Sequence, residues 1–126
     1  MAAESETFLK LALAPIAFAC LAPSHGAESE RWRDIGGQEL RALFSNKEFA
    51  DGAHFAYRLR ADGTFSGTEM AKSVSGTWRV QDEQLCWKWR RPPGPEECYR
   101  VQQDGPHVRF LINGSEAWYG TLEKLR

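Results

Sequence analysis

Few residues in this chain have the type and setting needed for catalysis. Its three histidines, His25, His54 and His107, are the natural candidates for a general base near neutral pH. His25 sits just after a short apolar N-terminal run. Strand alternation turns His54 and His107 outward, so no cleft is expected to hold either one. Hydrolysis by paired carboxylates needs two acids that converge on one pocket. Only Glu69 and Glu97 have inward parity, and both stand near strand ends where water reaches them. Ser24, Ser66, Ser73, Ser75 and Ser115 lack a nucleophile elbow, and no Gly-rich phosphate loop precedes a helix. Three cysteines and three histidines are too few and too scattered for a zinc or iron–sulfur cage. The residues therefore point to a non-catalytic protein with no cofactor and no metal. The alternative is a small enzyme with an inner-face pocket and chemistry that cannot be named.

The N-terminus sets the expected compartment. Phe8 to Pro23 read FLKLALAPIAFACLAP, too short to span a bilayer of about 30 Å comfortably but fitting the apolar region of a secretory signal. Ser24, Gly26 and Ala27 supply small residues for cleavage. The expectation is a signal peptide over 1–27 and one domain over 28–126, located in a bacterial periplasm or secreted. Glu4 and Glu6 against Lys10 depart from the usual positive start. Ala17-Phe18-Ala19 before Cys20 is a poor lipoprotein match, so lipid anchoring at Cys20 is not expected. Removing 1–27 takes the net charge from −1 to zero and leaves Cys86 and Cys98. An even cysteine count in an exported domain reads as one disulfide.

Behind these residues lies an all-β pattern. From residue 53 onward, turn signals recur between alternating segments: Ala61-Asp62-Gly63, Gln81–Gln84, Asp104-Gly105 and Asn113-Gly114. Closing each hairpin by its turn pairs Leu59 with Phe65, Phe65 with Trp78, Val80 with Leu85 and Trp78 with Trp87. The same rule pairs Cys86 with Cys98, Lys88 with Glu96, Tyr99 with Phe110, Val101 with Val108, and Phe110 with Ala117. One face then carries Tyr57, Trp78, Trp87, Trp89, Tyr99, Ile112 and Tyr119, together with Phe65 and Phe110. A sheet with that much apolar surface must curl. The expected fold is mainly β: an antiparallel up-and-down meander of seven to eight strands forming a small barrel or half-barrel. Leu40, Leu43 and Phe44, at helical spacing, predict one short helix that plugs an end.

Two surfaces follow from this face assignment. Tyr57, Trp78, Trp87, Trp89, Tyr99 and Tyr119 either fill the core or line a cavity for a small apolar ligand. On the outer face, Lys88, Arg90, Arg100 and Arg109 form a basic stripe, with Arg100 expected opposite Arg109. Like charges placed there cost stability, so the stripe is a candidate surface for an anionic envelope component. A net charge of −1 gives no bulk attraction to nucleic acid, and no segment is long enough to span a membrane as a helix.

The order Glu-Leu-x-x-Leu, Asp-Gly-Thr-Phe-x-Gly, Ser-Gly-Thr-Trp-Arg-Val, Leu-Cys-Trp and Cys-Tyr-x-Val resembles a known family. Its members are small exported bacterial proteins, best known from proteobacteria, grouped as a lipocalin-like domain of unknown function. The resemblance covers roughly residues 35 to 122. It implies a periplasmic location, a disulfide and a barrel-like fold, and it brings no catalytic residues. Asn46-Lys47-Glu48-Phe49 and the C-terminus depart from the family pattern.

Overall fold

The computed structural model describes residues 31–126. The expected leader, its cleavage point near Ala27, and Cys20 lie outside the described residues. Among the described residues nine strands and one helix follow in chain order: β1 (Arg33–Ile35), α1 (Gly37–Phe44), β2 (Lys47–Ala50), β3 (Phe55–Leu59), β4 (Thr64–Glu69), β5 (Lys72–Gln81), β6 (Gln84–Arg91), β7 (Pro93–Asp104), β8 (His107–Ile112) and β9 (Ser115–Lys124). Strands β2 to β9 pair antiparallel in sequence order, and β9 returns to β2, closing an eight-stranded barrel. Short β1 adds to the far end of β7.

Local chemistry explains the meander. Asn113 and Gly114 take the two left-handed positions of the β8–β9 turn, as a type I′ hairpin requires. In β3 every second side chain is buried, with Phe55, Tyr57 and Leu59 inside. The helix carries Leu40 and Phe44 into the barrel end with no exposure, and Leu43 packs beside them. Phe44 meets Phe49 and Phe110 edge-on at 6.2 and 5.7 Å, so α1 closes that end as the spacing predicts.

Several expected registers hold: Leu59 with Phe65, Val80 with Leu85, Trp78 with Trp87, Cys86 with Cys98, and Lys88 with Glu96. Others move by two residues, which preserves the inward set. Phe65 faces Gly76 rather than Trp78, because Met70 and Ala71 form the β4–β5 turn with positive φ at both positions. Val108 faces Gln103, because the β7–β8 turn is built on Gly105 and Pro106 rather than Asp104 and Gly105. Proline has no N–H to give to a ladder, which favours its place in the turn. Tyr99 therefore lies outside the β7–β8 ladder, and Val101 faces Phe110 instead. Gly76 faces Trp89 and Gly67 faces Val74.

One change does reverse a face. A bulge at Phe110/Leu111 pairs Phe110 with Trp118 and skips Ala117. Past it Trp118 points inward and Tyr119 is 44% exposed, while Ile112, the last residue of β8 beside the turn, is 46% exposed. Tyr119 is thus not an inner-face residue.

Candidate functional site

The lower barrel is full. Trp87, Tyr57, Phe44, Phe49, Phe65 and Phe110 are all fully buried. Phe49 stacks on Phe110 at 4.9 Å, and Trp87 lies 5.2 Å from Phe110. Trp78 is buried as well, with its indole N–H donated to the Arg60 carbonyl at 2.9 Å. Of the six expected lining residues, Tyr57, Trp78, Trp87 and Tyr99 are core, and only Trp89 reaches an opening.

That opening is at the end away from α1. The β5–β6 turn touches the helix through Gly37 N–H and the Asp82 carbonyl. Antiparallel alternation then puts the β4–β5, β6–β7 and β8–β9 turns at the other end. There the wall is incomplete. The β8 ladder stops at Arg100 on β7, leaving the first half of β7 paired with β6 alone. A cup of about 270 Å³ results, lined by Glu69, Val74, Trp89, Pro92, Pro93, Gly94 and Trp118.

Beneath the cup Tyr57 packs edge-on against Trp87, Trp89 and Trp118 at 5.4, 5.5 and 5.7 Å. Its hydroxyl donates to Glu69 Oε2 at 2.5 Å. Burial, and then the Glu69 hydrogen bond and charge, push the Tyr57 hydroxyl far above its ordinary value, so it remains a donor. Burial likewise raises the Tyr99 hydroxyl. The buried Trp87 Nε1 has no hydrogen-bond partner among the described residues. An unmatched buried donor of this kind costs about 1–3 kcal/mol. Glu97 faces Trp87 across β6–β7 but is exposed, and it does not line the cup with Glu69.

The basic stripe divides in two. Arg100 faces Leu111, and Arg109 faces Gln102, so the expected Arg100–Arg109 opposition does not occur. Arg100 approaches Asp34 at 3.7 Å. Arg109 donates to Gln102 at 2.9 Å, lies 3.8 Å from Glu116, and covers the Trp32 ring at 4.4 Å. Lys88 and Arg90 instead line a groove of about 350 Å³ that meets the cup at Trp89, Pro93 and Gly94.

The cysteines are bonded to each other on the outer face of β6–β7. Their sulfurs and a Glu96 oxygen lie within 4.8 Å, but a sulfur held in a disulfide is not a thiolate ligand. Glu96 accepts a two-pronged bond from Arg79 at 2.7 and 2.8 Å, which lowers the Glu96 carboxyl and raises the guanidinium. His54 is exposed and bonds Asp51 at 2.8 Å, while His107 stacks on Tyr119 at 5.9 Å. Neither lines the cup.

Sequence reasoning missed Trp118 because alternation cannot locate a bulge. Ala117, Trp118 and Tyr119 are consecutive apolar residues that satisfy either face. No family model, curated protein or solved structure matches this chain. A disulfide fits an oxidising extracellular compartment, and no helix among the described residues is long and apolar enough to cross a membrane.

Proposed function

We propose that this chain is an exported, non-catalytic protein of the bacterial envelope that binds a small ligand with a substantial apolar body at the barrel mouth. The reading is carried by Trp89 and Trp118, two half-buried indoles that line an open cup above a filled core. Large aromatic surface left at a concave site is a common mark of ligand recognition. Among the described residues Glu69 is the single titratable one in the cup lining, and a carboxylate with no described base or nucleophile beside it supports binding over hydrolysis. The disulfide and the apolar run over 8–23 support export, and the lipocalin-like resemblance agrees with both. An anionic partner on the basic face is the weaker reading, because Arg100 and Arg109 are already engaged.

Native mass spectrometry of protein purified from its own compartment tests the proposal. A small molecule retained by the wild type and lost from Trp118→Leu is the expected result. A bare mass for the gently purified wild type would count against it.

A further inference from the structure

The cup's chemistry also specifies the charge of what it holds, an inference that rests on the binding reading above. Glu69 is half-buried and has no ion-pair partner among the described residues. Lys72 is its cross-strand neighbour yet forms no ion pair with it. Tyr57 occupies Oε2, and Oε1 has no hydrogen-bond donor among the described residues. One oxygen of a partly desolvated carboxylate therefore remains open beside Trp89 and Trp118.

Three ligand classes meet this arrangement differently. An anion is repelled by the carboxylate. A neutral apolar body covers Glu69 without giving it a partner, which carries a desolvation penalty. A cation satisfies the carboxylate and is attracted by the electron-rich indole faces. We infer that the cup binds a small organic cation, an amine or quaternary ammonium group attached to an apolar or aromatic body. The volume of about 270 Å³ lies near the lower edge of ligand pockets and so suits one ring and a short substituent. The positive side chains of Lys88 and Arg90 line the neighbouring groove rather than the cup.

The test uses two probes of one shape, benzyltrimethylammonium and neopentylbenzene, in which a carbon replaces the charged nitrogen. Titrations of the oxidised full chain, read by tryptophan fluorescence and calorimetry, give both affinities. The cation should bind at least about tenfold tighter than its neutral twin. In Glu69→Gln, which keeps an acceptor for Tyr57, that preference should fall below about threefold while the melting temperature holds. Equal affinity for both probes overturns the cation inference and leaves the binding site standing. Binding of neither probe removes both. A preference that persists in folded Glu69→Gln overturns the role given to this carboxylate. If Glu69→Gln does not fold, Trp118→Leu decides: lost cation binding supports the site, and unchanged binding overturns it.

Discussion

Removing the Cys86–Cys98 bridge should lower stability by an amount that follows from its place in the chain. The bridge joins residues twelve apart in sequence, and the loop-entropy relation gives about 3 kcal/mol for closing a loop of that size. Cys86 is fully buried, so Cys86→Ala also leaves a small void that adds to the loss. For a domain of this size each kcal/mol shifts the melting point by about 4–8 °C, so the double variant Cys86→Ala/Cys98→Ala should melt roughly 12–24 °C lower. Hairpin pairing from Gln84–Arg100 to Lys88–Glu96 is independent of the sulfurs, so the variant should stay folded at 25 °C. Near-UV circular dichroism melts of the variant, and of wild type with and without a phosphine reductant, read this directly. A melting point that moves by less than about 3 °C would refute the reasoning. Two free thiols in the wild-type protein would remove its premise.

Arg109→Gln should destabilise the fold by about 1 kcal/mol, because the guanidinium bonds Gln102 and covers Trp32; Lys88→Gln should be neutral within about 0.5 kcal/mol in urea titrations. Gly76→Ala should cost about 1–3 kcal/mol, since a Cβ there lies 2.6 Å from the Phe65 ring and crowds the Lys88 carbonyl; an unchanged urea midpoint would contradict that packing. Asp51 supports the β2–β3 loop. Burial raises its pKa, but the N–H groups of Ala53, Phe55 and His54 and the His54 ring outweigh this and hold it well below the carboxylate range. Its stabilisation is therefore full above the unfolded value near 4 and is lost as pH falls below it. The stability gap between wild type and Asp51→Asn should accordingly narrow as pH falls from about 4 to about 2, and a gap that widens there would be wrong in sign.

Much of the fold was legible because a period of two leaves little freedom. Turn signals and alternation placed Tyr57, Leu59, Phe65, Trp78, Leu85, Trp87, Val101 and Phe110 inside, and all are buried. Two-residue register moves at Met70-Ala71 and Gly105-Pro106 were invisible to that pattern, because they exchange partners without exchanging faces. Their consequence was specific: Arg100 and Arg109 part company, and the electrostatic cost expected between them disappears. The mouth was the least legible region. It depends on the bulge that turns Trp118 inward and on the point where β8 stops along β7, both products of barrel closure. Glu69 had the correct inward parity, but its neighbours could not be read from a strand pattern.

The most direct test of binding at the mouth uses the indole N–H resonances. The chain holds five tryptophans, giving one indole N–H signal each. Trp89 and Trp118 line the cup, whereas Trp78 donates to the Arg60 carbonyl and Trp32 lies against Arg109. Titrating labelled, oxidised protein with a small-molecule extract of its own compartment should move the Trp89 and Trp118 signals saturably and leave Trp78 and Trp32 in place. Signals that all stay fixed, or that shift together without saturating, would contradict a ligand site at the barrel mouth.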